Sequence, residues 1–123
     1  MKASTHIVIV ALAALSIGLR AGAQGQAPGA APSGDSSNGK KSFVSYGCYQ
    51  CHGYEAQGSS ATGPRLGPRP IAFAQLSKYV RAPTGQMPPY PTKVLPDKDL
   101  TDIYAFLQSR PQPPAADSIQ LLK

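Results

Sequence analysis

Cys48-Tyr49-Gln50-Cys51-His52 holds both cysteines of this 123-residue chain. Two cysteines separated by two residues, with a histidine directly after the second, form the CxxCH pattern of a covalent c-type haem attachment. The spacing has a physical logic. At a helix end, thiols three residues apart both reach the two vinyl groups of one porphyrin, and the next residue points an imidazole at the iron. Other uses of a CxxC pair fit less well. A structural zinc site needs two further ligands, and beyond residue 23 the chain has no other Cys and no other His. A thioredoxin-like redox pair calls for a βαβ setting, and no strand pattern precedes Cys48. A disulfide across the pair closes a loop too short to stabilise much.

Outward from this run, apolar periodicity predicts three helices. The first begins near Asn38 as N-cap and carries Gly39, Phe43 and Tyr46 on one face. The second starts at Pro70, carries Phe73, Leu76 and Val80, and stops before Pro83. Asp97 is the expected cap of the third, with Asp99 and Asp102 near its positive end and Arg110 near its negative end. Its stripe is Leu100, Ile103, Tyr104 and Leu107, with Phe106 beside it. No strand is predicted. Gly and Pro number 12 and 13, which favours long loops, and there is no Trp. The expected class is all-α, with long Pro- and Gly-rich connections around one covalent haem.

The ends read differently. Lys2, an apolar run from Ile7 to Leu19 and the small residues Ala21-Gly22-Ala23 have the pattern of a signal peptide over residues 1–23. The expected destination is the periplasm, an oxidising compartment, with no membrane span after cleavage. Residues 24–37 read as a flexible linker, residues 38–110 as the folding domain and residues 111–123 as a Pro-rich tail. A folded part of this size needs a cofactor or cross-link to supplement its core.

A haem at this motif requires a second axial ligand. Met1 and His6 lie in the signal segment, which leaves Met87, 35 residues beyond His52, in Pro83-Thr84-Gly85-Gln86-Met87-Pro88-Pro89-Tyr90-Pro91. A lone methionine is commonly core filler. Met87 instead stands outside every apolar stripe, and a proline-stiffened loop keeps a weak, neutral thioether on iron by lowering the entropy lost on binding. His52 and Met87 are therefore the expected metal ligands, and such an iron has a raised reduction potential.

Together these features resemble a single-haem class I cytochrome c of the short bacterial type, over about Asn38 to Arg110. The resemblance implies that Gly39 and Phe43 of the first helix cross Ile103, Phe106 and Leu107 of the last, with Gly39 permitting close approach. Gly63-Pro64-Arg65-Leu66 is similar to the family's stretch after the haem site. It implies that the Pro64 carbonyl accepts a hydrogen bond from His52 and that Leu66 packs on the haem face. The family's propionate-binding Trp has no counterpart here; Tyr79, Tyr90, Arg65, Arg69 and Arg81 are the candidates for that contact.

With two axial ligands the iron has no open site, so outer-sphere electron transfer is expected and catalysis is not. The partners this implies are redox proteins with an acidic docking face, such as a periplasmic dehydrogenase or a terminal oxidase. Lys40, Lys41, Lys78, Arg81, Lys93 and Lys98 exceed the nearby acids. A monomeric shuttle and a subunit of a larger enzyme both remain open. A haem-based sensor or weak peroxidase with a displaceable Met87 is the alternative. Nucleic-acid binding is not expected, since the chain has no basic run.

Overall fold

The computed structural model describes residues 31–122. The expected signal segment and residues 24–30 of the expected linker lie outside the described residues. Four α-helices follow one another: α1 (Ser36–Ser45), α2 (Tyr49–His52), α3 (Phe73–Arg81) and α4 (Asp97–Gln108). Two single 3-10 turns, Ala116–Ser118 and Gln120–Leu122, occupy the C-terminal tail. Among the described residues there is no strand, only an isolated bridge between Ser59 and Gly63. The chain is all-α. No described helix is long and apolar enough to cross a membrane.

The crossing of α1 and α4 organises the molecule. Gly39 lies at the contact, where an added Cβ would stand 1.9 Å from the Asp102 carbonyl oxygen. Only a glycine lets the two backbones approach so closely. One turn further on, the Phe43 and Phe106 rings meet at 5.4 Å between centroids, tilted by 48°. Both rings are fully buried, as are Leu100 and Leu107 of α4, and Ile103 and Tyr104 are buried beside them. The first-to-last-helix crossing implied by the resemblance thus has its glycine and its ring pair. Helix α3 adds Leu76 and Val80 to the core and places Phe73 edge-on to Tyr104, at 5.2 Å.

All three predicted helix starts differ from those observed. Helix α1 is capped by Asp35, whose carboxylate accepts the amides of Ser37 and Asn38 at 2.8 and 3.0 Å. Asn38, the expected cap, instead donates its side-chain amide to Asp102 at 2.7 Å. Helix α3 begins at Phe73, not at Pro70, and Pro96 rather than Asp97 precedes α4.

Asp102 also departs from expectation. It lies in the middle of α4 and is buried, so it is no partner of the helix's positive end. Its carboxylate accepts the Asp35 amide at 2.8 Å, the Asn38 side chain and the Lys98 ammonium at 2.6 Å. These three donors hold the carboxyl at about 2, well below its ordinary 3.8, with Lys98 the largest influence. The clasp also ties down the last residues of the expected linker, because Gly34 abuts the Thr101 carbonyl and Ala31 packs against the core.

Candidate functional site

Cys48 precedes α2, Cys51 lies on it and His52 ends it, so one helical turn carries all three groups. The turn is prepared from both sides. Gly47 before it and Gly53 after it have φ of +77° and +75°, conformations that side chains other than glycine rarely adopt. Cys48 is half-buried, Cys51 exposed and His52 buried. Burial pushes the Cys48 thiol up to about 11. That is the reverse of the lowered pKa that a nucleophilic redox cysteine requires. No group of three or more His, Cys, Asp or Glu placed to hold a metal ion occurs among the described residues.

His52 is fixed by its surroundings. Its Nδ1 lies 2.8 Å from the Pro64 carbonyl oxygen. A carbonyl only accepts, so Nδ1 carries the proton and the Nε2 lone pair is left as the donor. Gly63 makes the approach feasible: a Cβ there would sit 3.1 Å from the imidazole Cε1 and Nδ1 and 3.0 Å from the Cys51 carbonyl. Thr62 donates its hydroxyl to that same carbonyl at 2.7 Å, and Gly58 donates its amide to the His52 carbonyl at 2.7 Å. Residues 58–64 are therefore wrapped against the end of α2.

The same wrapping positions Leu66. Ala56, fully buried and at φ +54°, offers its carbonyl to the amides of both Leu66 and Gly67, at 3.0 and 3.2 Å. A left-handed residue with a Cβ costs about 1 kcal/mol, and these two bonds help hold it there. Leu66 is half-buried against the core, as are Cys48, Phe73, Met87 and Tyr90. Met87 reaches that cluster from the long connection between α3 and α4.

Tyr90 ties this connection to the cysteine segment. Its hydroxyl donates to the Tyr46 carbonyl at 3.0 Å, two residues before Cys48. Burial pushes the Tyr90 phenol up. The direct contact among the expected site residues is His52 with Pro64. Leu66, Met87 and Cys48 share the apolar cluster.

The propionate candidates separate on inspection. Arg81 is engaged by the Tyr90 and Leu95 carbonyls and by Asp97. The Tyr79 hydroxyl donates to the Thr84 carbonyl at 3.0 Å. Arg65 and Arg69 remain exposed. Of the six basic residues expected to draw a partner, three are in ion pairs: Lys40 with Glu55, Arg81 with Asp97 and Lys98 with Asp102. Sequence alone does not mark the roles of Thr62 and Arg81 in this architecture; for Gly63 the signal is its place in the Gly63-Pro64-Arg65-Leu66 stretch.

These residues suit a c-type haem. Two thiols one turn apart can carry the covalent links, and His52 presents an unprotonated ring nitrogen held by a second hydrogen bond. Met87 supplies a soft thioether beside a half-buried apolar lining. No solved structure matches the chain. The family model for cytochrome c oxidase, cbb3-type, subunit III covers residues 34–107, from just before the α1 cap to the last turn of α4, and the chain belongs to this family of c-type cytochromes.

Proposed function

We propose that the chain is an exported, non-enzymatic electron carrier, with haem c joined to Cys48 and Cys51 and its iron ligated by His52 and Met87. Family membership supplies the coarser statement: this is a c-type cytochrome, and its work is haem-based electron transfer. Haem c supplies a one-electron couple between ferric and ferrous iron. The observation that carries the finer reading is the 2.8 Å contact between His52 Nδ1 and the Pro64 carbonyl. It holds the imidazole in one tautomer and one orientation, and so keeps the same lone pair presented in both oxidation states. Met87, on a loop fastened through Tyr90, would supply the second ligand, and Leu66 and Phe73 pack half-buried against the core.

As the redox partner we propose an oxidase complex or a dehydrogenase with an acidic face. Membership of an oxidase-subunit family favours the oxidase, and exposed Lys41, Lys78 and Lys93, which form no ion pair among the described residues, favour the acidic face. The proposed location is the periplasm, on the strength of the leader pattern in residues 1–23.

The test is purification from a host that matures c-type cytochromes, followed by mass spectrometry and optical spectra. One covalent haem, a ferric sulfur-to-iron charge-transfer band and slow carbon monoxide binding by the ferrous protein are expected. Rapid carbon monoxide binding would overturn the closed six-ligand site in favour of a sensor or peroxidase.

A further inference from the structure

Met87 lies in the 15-residue connection between Arg81 and Asp97, which contains no helix or strand. Loops of that length are costly to order, at about 1–2 kcal/mol per residue in backbone entropy. Something must hold this one in a single shape. One side chain bonds the loop at two points and the helix beyond it at a third. Arg81, the last residue of α3, sends Nη1 to the carbonyl of Tyr90 at 2.6 Å and to that of Leu95 at 2.7 Å. Its Nη2 donates to the Asp97 carboxylate at 2.7 Å, at the first turn of α4. The guanidinium is largely enclosed, with 19% of the side chain exposed, whereas Asp97 is 75% exposed.

Tyr90 is thereby held at three atoms. Its amide donates to the Val80 carbonyl at 3.0 Å, its carbonyl accepts from Arg81, and its hydroxyl donates to the Tyr46 carbonyl. Met87 precedes it by three residues, two of them prolines with little backbone freedom. Fixing Tyr90 therefore fixes where the thioether is presented.

We propose that Arg81 is a positioning residue for the Met87 thioether: its fork clamps the loop's exit, and so sets how readily Met87 leaves the iron. This rests on Met87 as axial ligand. A charge-assisted bond to a backbone carbonyl contributes more than a neutral one, and the planar fork serves two carbonyls and a carboxylate at once. Lysine, a point donor, cannot reproduce that arrangement.

Exogenous imidazole is the probe, because it binds ferric iron only when the thioether has left, and its apparent affinity reports the population of that state. In the haem-loaded protein, Arg81→Ala is expected to tighten imidazole binding about tenfold or more and to weaken the charge-transfer band, as the loss of one or more charge-assisted bonds implies. Arg81→Lys is expected to fall between Arg81→Ala and the unaltered protein, and it serves where the alanine variant does not fold. Asn38→Ala loosens the α1–α4 clasp away from this loop, and is expected to lower Tm with imidazole affinity unchanged. An unchanged affinity in the foldable Arg81 variants, or an equal rise in Asn38→Ala, overturns the positioning role. Met87→Ala separates the two levels: if it leaves spectrum and affinity unchanged, the ligand assignment falls. If it alters both while the Arg81 variants are silent, only the clamp falls.

Discussion

Met87 is a single soft donor among prolines, and its role depends on little beyond its sulfur. Replacing it with alanine removes the thioether without touching either cysteine or the His52–Pro64 contact. Met87→Ala is therefore expected to keep its covalent haem, to lose the sulfur-to-iron band and to show a lower reduction potential. Optical spectra and redox titration of the purified variant check this. Unchanged spectra would show that another group ligates the iron. The potential falls because the thioether favours ferrous iron over ferric, and water or hydroxide in its place reverses that preference. His52 stands on different ground: its orientation is shared among Pro64, Gly63 and the Gly58 amide, so no single neighbour decides it.

Among the helices, the α1–α4 crossing admits almost no change. Gly39→Ala drives a methyl to 1.9 Å from the Asp102 carbonyl, and backbone on both sides must move. A loss of about 3 kcal/mol is expected, since overpacking at a rigid contact is seldom relaxed by side-chain motion. Denaturant unfolding of the haem-loaded protein measures it, and a loss below about 1 kcal/mol would mean that the helices separate easily. Much of this crossing was legible in advance. The α4 stripe of Leu100, Ile103, Tyr104 and Leu107 is buried as its spacing predicts, and Gly39 was singled out for close approach. Phe106 lies beside that stripe by spacing, and it is fully buried because α1 covers this flank, as the resemblance implies. The caps were misread for a physical reason. Asn38 and Asp97 have capping chemistry, but tertiary partners claim both side chains, Asp102 for one and Arg81 for the other.

Asp102 links this helix pair to pH. Its carboxyl is held at about 2 in the folded chain against an ordinary 3.8, so folding favours the ionised form. The sign follows: the stabilisation is fully present above about pH 4 and drains away as the pH falls through about 2. Glu55, lowered by Lys40 and Arg110, acts in the same direction but is half exposed, so solvent screens its share. Thermal unfolding across this window is expected to show a fall in Tm that Asp102→Asn largely removes. The variant should also melt earlier at neutral pH, because an amide cannot accept three donors as the carboxylate does. A variant with the same acid profile as the unaltered protein would assign the drop to other groups.

At the scale of the whole molecule, the question is what orders so much loop. Among the described residues the buried apolar core consists of ten, and none of them falls between Ala56 and Leu76. Leu66 and Phe73, the principal apolar side chains of that stretch packed on the core, are only half-buried. Hydrogen bonds shape the segment around His52, but their net contribution is modest, about 1 kcal/mol apiece. Backbone entropy over such a stretch is of larger magnitude. On the proposed attachment at Cys48 and Cys51, a haem would close this gap by adding apolar area beside the half-buried lining and by tying α2 to it. Cys48→Ser with Cys51→Ser is therefore expected to give a chain without covalent haem and largely unfolded, with a broad melt in circular dichroism. The α1–α4 pair, with its ring contact and Asp102 clasp, is the place where residual helix should survive, and amide hydrogen exchange would locate it there. A cooperative melt and native-like protection of residues 57–75 would show instead that the polypeptide alone holds its loops, and that the cofactor is carried by the fold rather than completing it.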